Sequence, residues 1–319
     1  MSAQEFAIIN QYFMPLAKLS QSGNGVIIGP GDDCAVLRVP RDVELCVSTD
    51  TLLEGVHFLP NCDAKVVAFR TMGANLSDLA AMGATPFAFL LAMTFPEVKN
   101  DWLENFSNAL SRIIKKYHIP LVGGNLSKGT LSLTVTVMGT VPIDGATKRT
   151  GASVGDDIYV TGTLGDAARG LALARKGEKT GTLLDRYEFP EPRIEAGRHL
   201  RGLATSSIDI SDGLVAEISH LTEVGTLGAE IQASSIPLSK DLLDSVGETA
   251  ARHLALFSGD DYELCFTARE NDLEAIKAVS KLVGLPMTRI GKINGNGQIV
   301  VHDDHGELTD LSTSGYEHF

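Results

Sequence analysis

Pairs of adjacent carboxylates follow a glycine at several places in the chain, among them Asp32-Asp33 and Asp260-Asp261. Like charges side by side are destabilising unless a cation is shared between them. No Lys or Arg lies within four residues of the first pair, so a bound metal is the nearest candidate, and hard oxygen ligands suit Mg²⁺. A solvated acidic turn is the plain alternative, because Asp and Gly are ordinary turn residues.

Other acidic and hydroxyl side chains follow the same pattern along the chain. A predicted strand from Glu44 to Ser48 ends in Thr49-Asp50-Thr51, and Asp78 lies among apolar neighbours on a predicted helix, where an unpaired charge would be costly. Ser211 and Asp212 could also simply cap a helix. If these side chains converge, they form an oxygen-only cage for more than one divalent cation. The candidates are Asp33, Asp50, Asp78, Asp209 and Asp212 with the hydroxyls of Ser48, Thr49 and Ser211.

The absence of other motifs narrows the chemistry. The sequence has no EF-hand loop, no Walker A motif and no G-x-G-x-x-G after a strand. Zinc is disfavoured because Cys and His do not cluster. Mg²⁺ usually binds through carboxylates together with substrate phosphates, so the pattern predicts a nucleotide or another polyphosphate. Phosphate recognition would then depend on Mg²⁺, on glycine amides such as those of Gly123-Gly124, and on a few arginines.

Composition excludes several classes of protein. The chain has 319 residues, 44% hydrophobic and 21% charged, with 40 acidic against 27 basic residues and a net charge of −13. That balance argues against a nucleic-acid partner. The four cysteines form no C-x-x-C pair and are interpreted as free thiols of a reducing compartment. No apolar run reaches the roughly 18 residues of a membrane span, and residues 1–16 lack a secretory pattern. We expect a cytoplasmic protein.

Hydrophobic periodicity predicts two α+β domains, residues 1–148 and 149–319. In the first domain, helices are predicted over 4–19, 64–82 and 100–117, and strands over 44–48, 87–95, 119–122 and 131–141. In the second domain, helices are predicted over 166–176, 190–203, 213–223 and 271–283. Strands are predicted within 207–213, before the helix that starts at Gly213, and over 264–268.

An ordered set of motifs resembles the bacterial thiamine-monophosphate kinase family over essentially the whole chain. The motifs are G-D-D-C-A at 31–35, S-T-D-T at 48–51, N-L-S-D-L-A-A-M-G-A at 75–84, G-G-N at 123–125, I-D-I-S-D-G at 208–213, G-D-D-Y-E-L at 259–264 and G-Y-E-H-F at 315–319. The resemblance implies the two-domain α+β fold of the aminoimidazole-ribonucleotide synthetase-like superfamily. It also implies a homodimer whose N-terminal mixed or antiparallel sheets, with helices, close into a shared barrel.

The resemblance also implies a role for individual residues. Metal ligands are expected at Asp33, Ser48, Thr49, Asp50, Asp78, Asn125, Asp209 and Asp212, ATP contacts at Gly124, Asn125, Arg149 and Ser211, and substrate contacts at His57, Asp260 and Tyr316. Two positions depart from many relatives. Asn125 stands where they have Asp, which removes a charge from one metal site, and Asp260 stands where they have Glu, which shortens that contact.

The implied reaction transfers the γ-phosphoryl group of ATP to thiamine monophosphate, giving thiamine diphosphate and ADP. The acceptor oxygen is already anionic, so no general base is needed and no catalytic side chain is assigned. Several Mg²⁺ ions would relieve repulsion between the phosphates, and a role for K⁺ is left open. The ring of Tyr316 and the carboxylate of Asp260 suit the cationic thiazolium. The alternatives are a sister ATP-dependent ligase, or a non-catalytic binder of thiamine diphosphate or of a nucleotide.

Overall fold

The computed structural model describes residues 3–19, 25–223 and 226–303, and the chain divides into two compact units. Unit 1 comprises Met1–Leu79 with Ala84–Asp144, and unit 2 comprises Ala80–Gly83 with Gly145–Phe319. None of the helices in the described residues is both long enough and apolar enough to cross a bilayer.

Unit 1 contains a four-stranded sheet with helices. Its elements are α1 (Ala3–Ile8), a π-helical turn (Ile9–Phe13), α2 (Met14–Lys18), β1 (Val26–Ile28), β2 (Val36–Leu37), β3 (Val43–Leu53), α3 (Ala64–Ala81), β4 (Thr85–Phe95), α4 (Asn100–Tyr117), β5 (Leu121–Lys128) and β6 (Ser132–Pro142). The sheet has the order β3-β6-β4-β5, with β4 and β5 parallel and the other neighbours antiparallel. The predicted helices and strands of this unit are therefore present, but the strand predicted over 119–122 was placed too early and made too short, because β5 spans Leu121–Lys128 and contains Gly123, Gly124 and Asn125.

The strand β3 is longer than predicted. It continues through Thr49-Asp50-Thr51 to Leu53, so the expectation that the strand stops at Ser48 was wrong. Thr49 and Thr51 continue the pairing with β6, and their hydroxyls lie 3.0 and 2.8 Å from those of Thr136 and Thr134. β-Branched residues pack well in such cross-strand pairs, and Asp50 therefore lies inside a paired strand.

Side chains alternate between the two faces of this sheet, as in any strand. Ser48, Asp50 and buried Leu52 share the face that packs on α3, where the Ser48 hydroxyl and the Asp50 amide find their partners. The opposite face carries apolar residues that are more open to solvent in this chain, such as Val47, which is 58% exposed.

Unit 2 is built on a six-stranded sheet. Its strands are β7 (Asp157–Thr161), β8 (Ala204–Asp209), β9 (Gly228–Gln232), β10 (Leu264–Ala268), β11 (Met287–Asn294) and β12 (Ile299–His302), in the order β12-β9-β11-β7-β10-β8. Its helices are α5 (Asp166–Arg175), α6 (Thr182–Glu188), α7 (Ile194–Leu200), α8 (Leu214–Thr222), α9 (Lys240–Val246), α10 (Glu248–Phe257) and α11 (Leu273–Val283), with 3-10 turns at Arg149–Gly151, Ala233–Ser235 and Glu270–Asp272. Ile158, Val160 and Ile208 belong to its buried core.

Three of the four helices predicted for unit 2 end within a few residues of the observed bounds of α5, α8 and α11. The fourth, predicted over 190–203, was too long, because α7 spans only Ile194–Leu200. Pro190 and Pro192 precede α7, and proline restricts the residue before it to extended conformations. The strand predicted within 207–213 is present as β8, although it begins and ends earlier, and the strand predicted over 264–268 is β10. The helices α6, α9 and α10 and the strands β7, β9, β11 and β12 were not predicted.

Candidate active site

Unit 1 brings together three of the predicted metal-binding side chains. The Ser48 hydroxyl donates a hydrogen bond to Oδ2 of Asp78 at 2.5 Å, and Asp78 is close enough to Asp50 to influence the pKa of its carboxyl group. Asn75, one turn before Asp78 on α3, accepts a hydrogen bond from the Asp50 amide at 3.1 Å. Strand and helix are thereby locked in a register that holds the two acids side by side.

The electrostatics of this pair fit a cation. Burial raises the pKa of the Asp50 carboxyl, and the hydrogen bond with Asp78 opposes that rise. Two carboxyl groups this close need a shared proton or a shared positive charge. Among the described residues, no Lys or Arg forms an ion pair with Asp50. Carboxylate and hydroxyl oxygens are the donors that Mg²⁺ prefers, so Ser48, Asp50 and Asp78 form a donor set suited to that ion.

Thr49 and Asn125 lie on the other face of the same sheet. The pairing rows place Asp50, Val135, Leu91 and Gly124 in one line and Thr51, Thr134, Ala92 and Asn125 in the next. The Thr49 hydroxyl donates to the Val135 carbonyl at 3.0 Å, and the side-chain amide Nδ2 of Asn125 donates to the Ser127 hydroxyl at 3.1 Å. Within unit 1, these two side chains are therefore separate from the Ser48–Asp50–Asp78 group.

Gly124 has a structural explanation of its own. Its φ is +158°, and a Cβ there would lie 1.9 Å from the Leu91 carbonyl oxygen on β4. Only glycine permits this approach of β5 to β4. The double glycine is thus explained by strand packing, and its predicted contact with a nucleotide stays a prediction.

Asp33 and His57 occupy loops of unit 1. Asp33 is exposed in the turn between β1 and β2. Nδ1 of His57 accepts a hydrogen bond from the Leu53 amide at 3.0 Å, so the neutral ring carries its proton on Nε2. The His57 carbonyl accepts from Nε of buried Arg70 at 3.0 Å. His57 is therefore fixed in place, with Nε2 as the ring atom able to donate.

In unit 2, the turn after β8 holds the second group of predicted residues. Asp209 ends β8, is only 4% exposed and pairs with Leu264 of β10. One carboxylate oxygen of Glu217 accepts from the Ser211 amide, the Ser211 hydroxyl and the Asp212 amide at 3.2, 3.1 and 3.0 Å. Burial raises the pKa of Glu217, and these hydrogen bonds oppose the rise. Glu217 was not predicted, because it lies six residues beyond Ser211 and outside the usual capping spacing.

The remaining predicted residues of unit 2 lie near this turn or outside the described part of the chain. The Asp260 amide donates to the Ser211 carbonyl at 2.9 Å, which places Asp260 beside the Ser211–Asp212 turn. Arg149 is exposed at the start of a 3-10 turn, next to Lys148, whose carbonyl accepts from the Ser207 amide of β8. Tyr316 falls outside the described residues.

No group of three or more His, Cys, Asp or Glu side chains that could hold a metal occurs among residues 3–19, 25–223 and 226–303. The acids of unit 1 come together as a pair, completed by a serine hydroxyl. Oxygen donors of this kind leave coordination positions for water and for substrate phosphates. That the acids of both units together hold magnesium stays a prediction.

This fold and its acidic turns define the class of AIR synthase related proteins. Residues 31–141 match the model of the AIR synthase related protein, N-terminal domain, and residues 153–304 match that of the C-terminal domain. Within that class, the chain belongs to the thiamine-monophosphate kinase family. It is 40% identical over 325 residues to the Escherichia coli (strain K12) thiamine-monophosphate kinase, covering 100% of this chain and 99% of that protein. The Bacillus subtilis (strain 168) thiamine-monophosphate kinase is 30% identical over 93% of this chain and 94% of its own length.

Solved structures agree with this assignment. The thiamine-monophosphate kinase of Stenotrophomonas maltophilia K279a superposes with a TM-score of 0.87 at 39% identity, covering 97% of this chain and 99% of that one. AaThiL complexed with AMPPCP and TMP gives a TM-score of 0.78 at 30% identity, with coverage of 100% and 99%. The family resemblance and the α+β fold class predicted from the sequence are confirmed.

Proposed function

We propose that this chain transfers the γ-phosphoryl group of ATP to the phosphate of thiamine monophosphate, producing thiamine diphosphate and ADP. The observation that carries the proposal is the full-length 40% match to a thiamine-monophosphate kinase. A relative at 30% identity has been solved with AMPPCP and TMP together, which are an ATP analogue and the acceptor. The paired acids of unit 1 add the chemistry that two clustered phosphates need.

Asp50, Asp78 and Ser48 would hold Mg²⁺ in unit 1. Mg²⁺ bound there supplies positive charge that offsets the repulsion between donor and acceptor phosphates. The protein fixes these oxygens in advance, because β3 and α3 are joined by the hydrogen bonds from Ser48 to Asp78 and from Asp50 to Asn75. Such preorganisation is the main contribution of a protein to phosphoryl transfer.

The acceptor does not require a general base. A phosphate monoester oxygen is already anionic near neutral pH, so the protein has only to orient it and exclude water. His57, with Nε2 as donor, suits a phosphate oxygen, and Asp260 suits the thiazolium cation. We assign the same roles as the family resemblance does to the remaining residues. These are Asp33, Thr49, Asn125, Asp209 and Asp212 for metal, Gly124, Asn125, Arg149 and Ser211 for ATP, and Tyr316 for substrate.

The assembly and location follow the same proposal. The chain would act as a homodimer whose unit 1 sheets meet through the face that bears Val47 and Leu90, 58% and 37% exposed in the single chain. The four cysteines are free thiols, which suits a reducing cytoplasm.

Purified protein incubated with ATP, Mg²⁺ and thiamine monophosphate tests the function. We expect ADP and thiamine diphosphate to appear in equal amounts, and no ADP without the acceptor. ADP release with an aminoimidazole precursor instead would indicate a sister ligase. Binding of thiamine diphosphate without any turnover would indicate a non-catalytic binder.

A further inference from the structure

The turn that carries Asp260 has an unusual backbone. Asp260 and Tyr262 have φ values of +70° and +50°, a region that residues other than glycine rarely adopt. At Gly259, a Cβ would lie 1.8 Å from the Ser211 carbonyl oxygen, so the turn packs directly on the Ser211–Asp212 turn. Backbone strain of this kind persists only where the surroundings enforce it.

Three contacts of unit 2 enforce this conformation. The amides of Asp260 and Tyr262 donate to the carbonyls of Ser211 and Ile210, both at 2.9 Å. Between them, the buried Asp261 carboxylate accepts from the Gly165 amide at 2.7 Å and from the Ala167 amide at 3.3 Å, at the start of α5. The turn is thus fastened to the β8 turn on one side and to α5 on the other.

The Tyr262 side chain then fixes the Asp260 carboxylate. Tyr262 is 8% exposed, and its hydroxyl donates a hydrogen bond to Oδ1 of Asp260 at 3.1 Å. The alternating left-handed conformations bring two side chains that are two residues apart to one side of the turn. Asp260 therefore has a defined direction before any ligand binds.

From this geometry we infer that Tyr262 is a positioning residue for recognition of the substrate's thiazolium cation. This inference rests on the proposed function. The Tyr262 hydroxyl holds the Asp260 carboxylate in the orientation that faces the cationic ring, and Asp261 keeps the turn in the required conformation. Within this turn, the family resemblance assigns a substrate contact to Asp260 and gives no role to Asp261 or Tyr262. Tyr262 and Asp261 are the residues that orient the Asp260 carboxylate.

The test compares two acceptors, thiamine monophosphate and its analogue in which a carbon replaces the thiazolium nitrogen, so that the ring is neutral. For Tyr262→Phe at saturating ATP, we expect KM for thiamine monophosphate to rise about tenfold, as for a lost hydrogen bond to a charged group, with kcat little changed. KM for the neutral analogue should not change. Asp260→Asn should reduce the same selectivity at least as strongly.

Tyr159→Phe is the matched control. Tyr159 is a buried tyrosine of β7 whose hydroxyl has no hydrogen-bond partner in the described part of the chain. Removing this hydroxyl should leave KM unchanged for both thiamine monophosphate and the neutral analogue. Asp261→Asn provides a second variant. Like Tyr262→Phe, it should raise KM for thiamine monophosphate more than KM for the neutral analogue.

Distinct outcomes separate the inference from the function on which it rests. If Tyr262→Phe raised KM equally for thiamine monophosphate and for the neutral analogue, the role of Tyr262 would be merely structural and the inference would be overturned. Reduced selectivity in Asp260→Asn but not in Tyr262→Phe or Asp261→Asn would overturn it while keeping the proposed role of Asp260. If wild-type protein does not phosphorylate thiamine monophosphate, the proposed function itself fails.

Discussion

Clustered carboxylates occur in both units, partly buried in unit 1 and fully buried in unit 2, and they are neutralised in different ways. In unit 1, Asp50 neighbours Asp78, and Asp78 accepts a hydrogen bond from the Ser48 hydroxyl. In unit 2, the fully buried Glu263 accepts from Nη2 of Arg186 at 2.8 Å, from Nε of Arg193 at 2.7 Å and from the Thr161 hydroxyl at 2.6 Å. The protein supplies the counter-charge in unit 2, whereas in unit 1 the described residues supply none for Asp50.

This difference distinguishes acids that support the fold from acids that serve the reaction. The charge of a buried carboxylate that pairs with arginines is already balanced, and removing that carboxylate leaves the charge of the arginines uncompensated. A pair of carboxyl groups that share a position repel each other and become favourable only with an added cation. Removing one acid should therefore lower stability in unit 2 but not in unit 1, and it should weaken the binding of magnesium in unit 1 but not in unit 2.

The largest effect is expected for Asp50→Ala. Turnover should fall at least about a thousandfold, which corresponds to about 4 kcal/mol of transition-state stabilisation. The fold should remain intact, because one of two repelling carboxylates is gone. Steady-state ADP release measures turnover, and circular dichroism checks that the variant is folded. Full activity in this variant would remove Asp50 from the mechanism.

Glu263→Gln should chiefly reduce stability. Its amide keeps one acceptor oxygen but loses the charge that balances Arg186 and Arg193, and we expect a loss of about 2–3 kcal/mol in the free energy of unfolding. Urea denaturation measures this value. Glu195→Gln serves as the control, since Glu195 pairs with Arg198 on the surface. Unchanged stability in Glu263→Gln would contradict the supporting role.

Glu217→Gln should have a mixed effect. It weakens the acceptor of three hydrogen bonds from Ser211 and Asp212, so stability should fall by about 1 kcal/mol. If these residues contact ATP and metal, KM for ATP should also rise several-fold, with KM for thiamine monophosphate unaffected. A loss of stability with no change in KM for ATP would restrict Glu217 to a structural role.

Asn125→Asp should have the smallest effect. The variant adds a carboxylate to the sheet face opposite Asp50, and one extra charge near a partly solvated metal contributes about 1 kcal/mol. The Mg²⁺ concentration for half-maximal activity should fall about fivefold. An unchanged Mg²⁺ requirement would indicate that this face does not take part in binding metal.

The sequence indicated that Asp78 would need a partner, because it stood among apolar residues that could not satisfy its charge, and the structure supplies the Ser48 hydroxyl as a donor. The sequence did not show that β3 continues to Leu53, and this length decides that Asp50 and Thr49 face opposite ways. Glu263 and its arginines are 70 and 77 positions apart. A periodic pattern along the sequence cannot predict contacts between residues so far apart. The pairing of Glu263 with its two arginines is therefore visible only in the folded chain.

The most direct test measures how far saturating Mg²⁺ raises the Tm of the wild type, Asp50→Ala and Glu263→Gln. We expect a clear rise for the wild type and a comparable rise for Glu263→Gln from a lower starting Tm. For Asp50→Ala we expect little or no rise, from a starting Tm that is equal to or above that of the wild type. An undiminished Mg²⁺-dependent rise in Asp50→Ala would show that Asp50 does not bind magnesium.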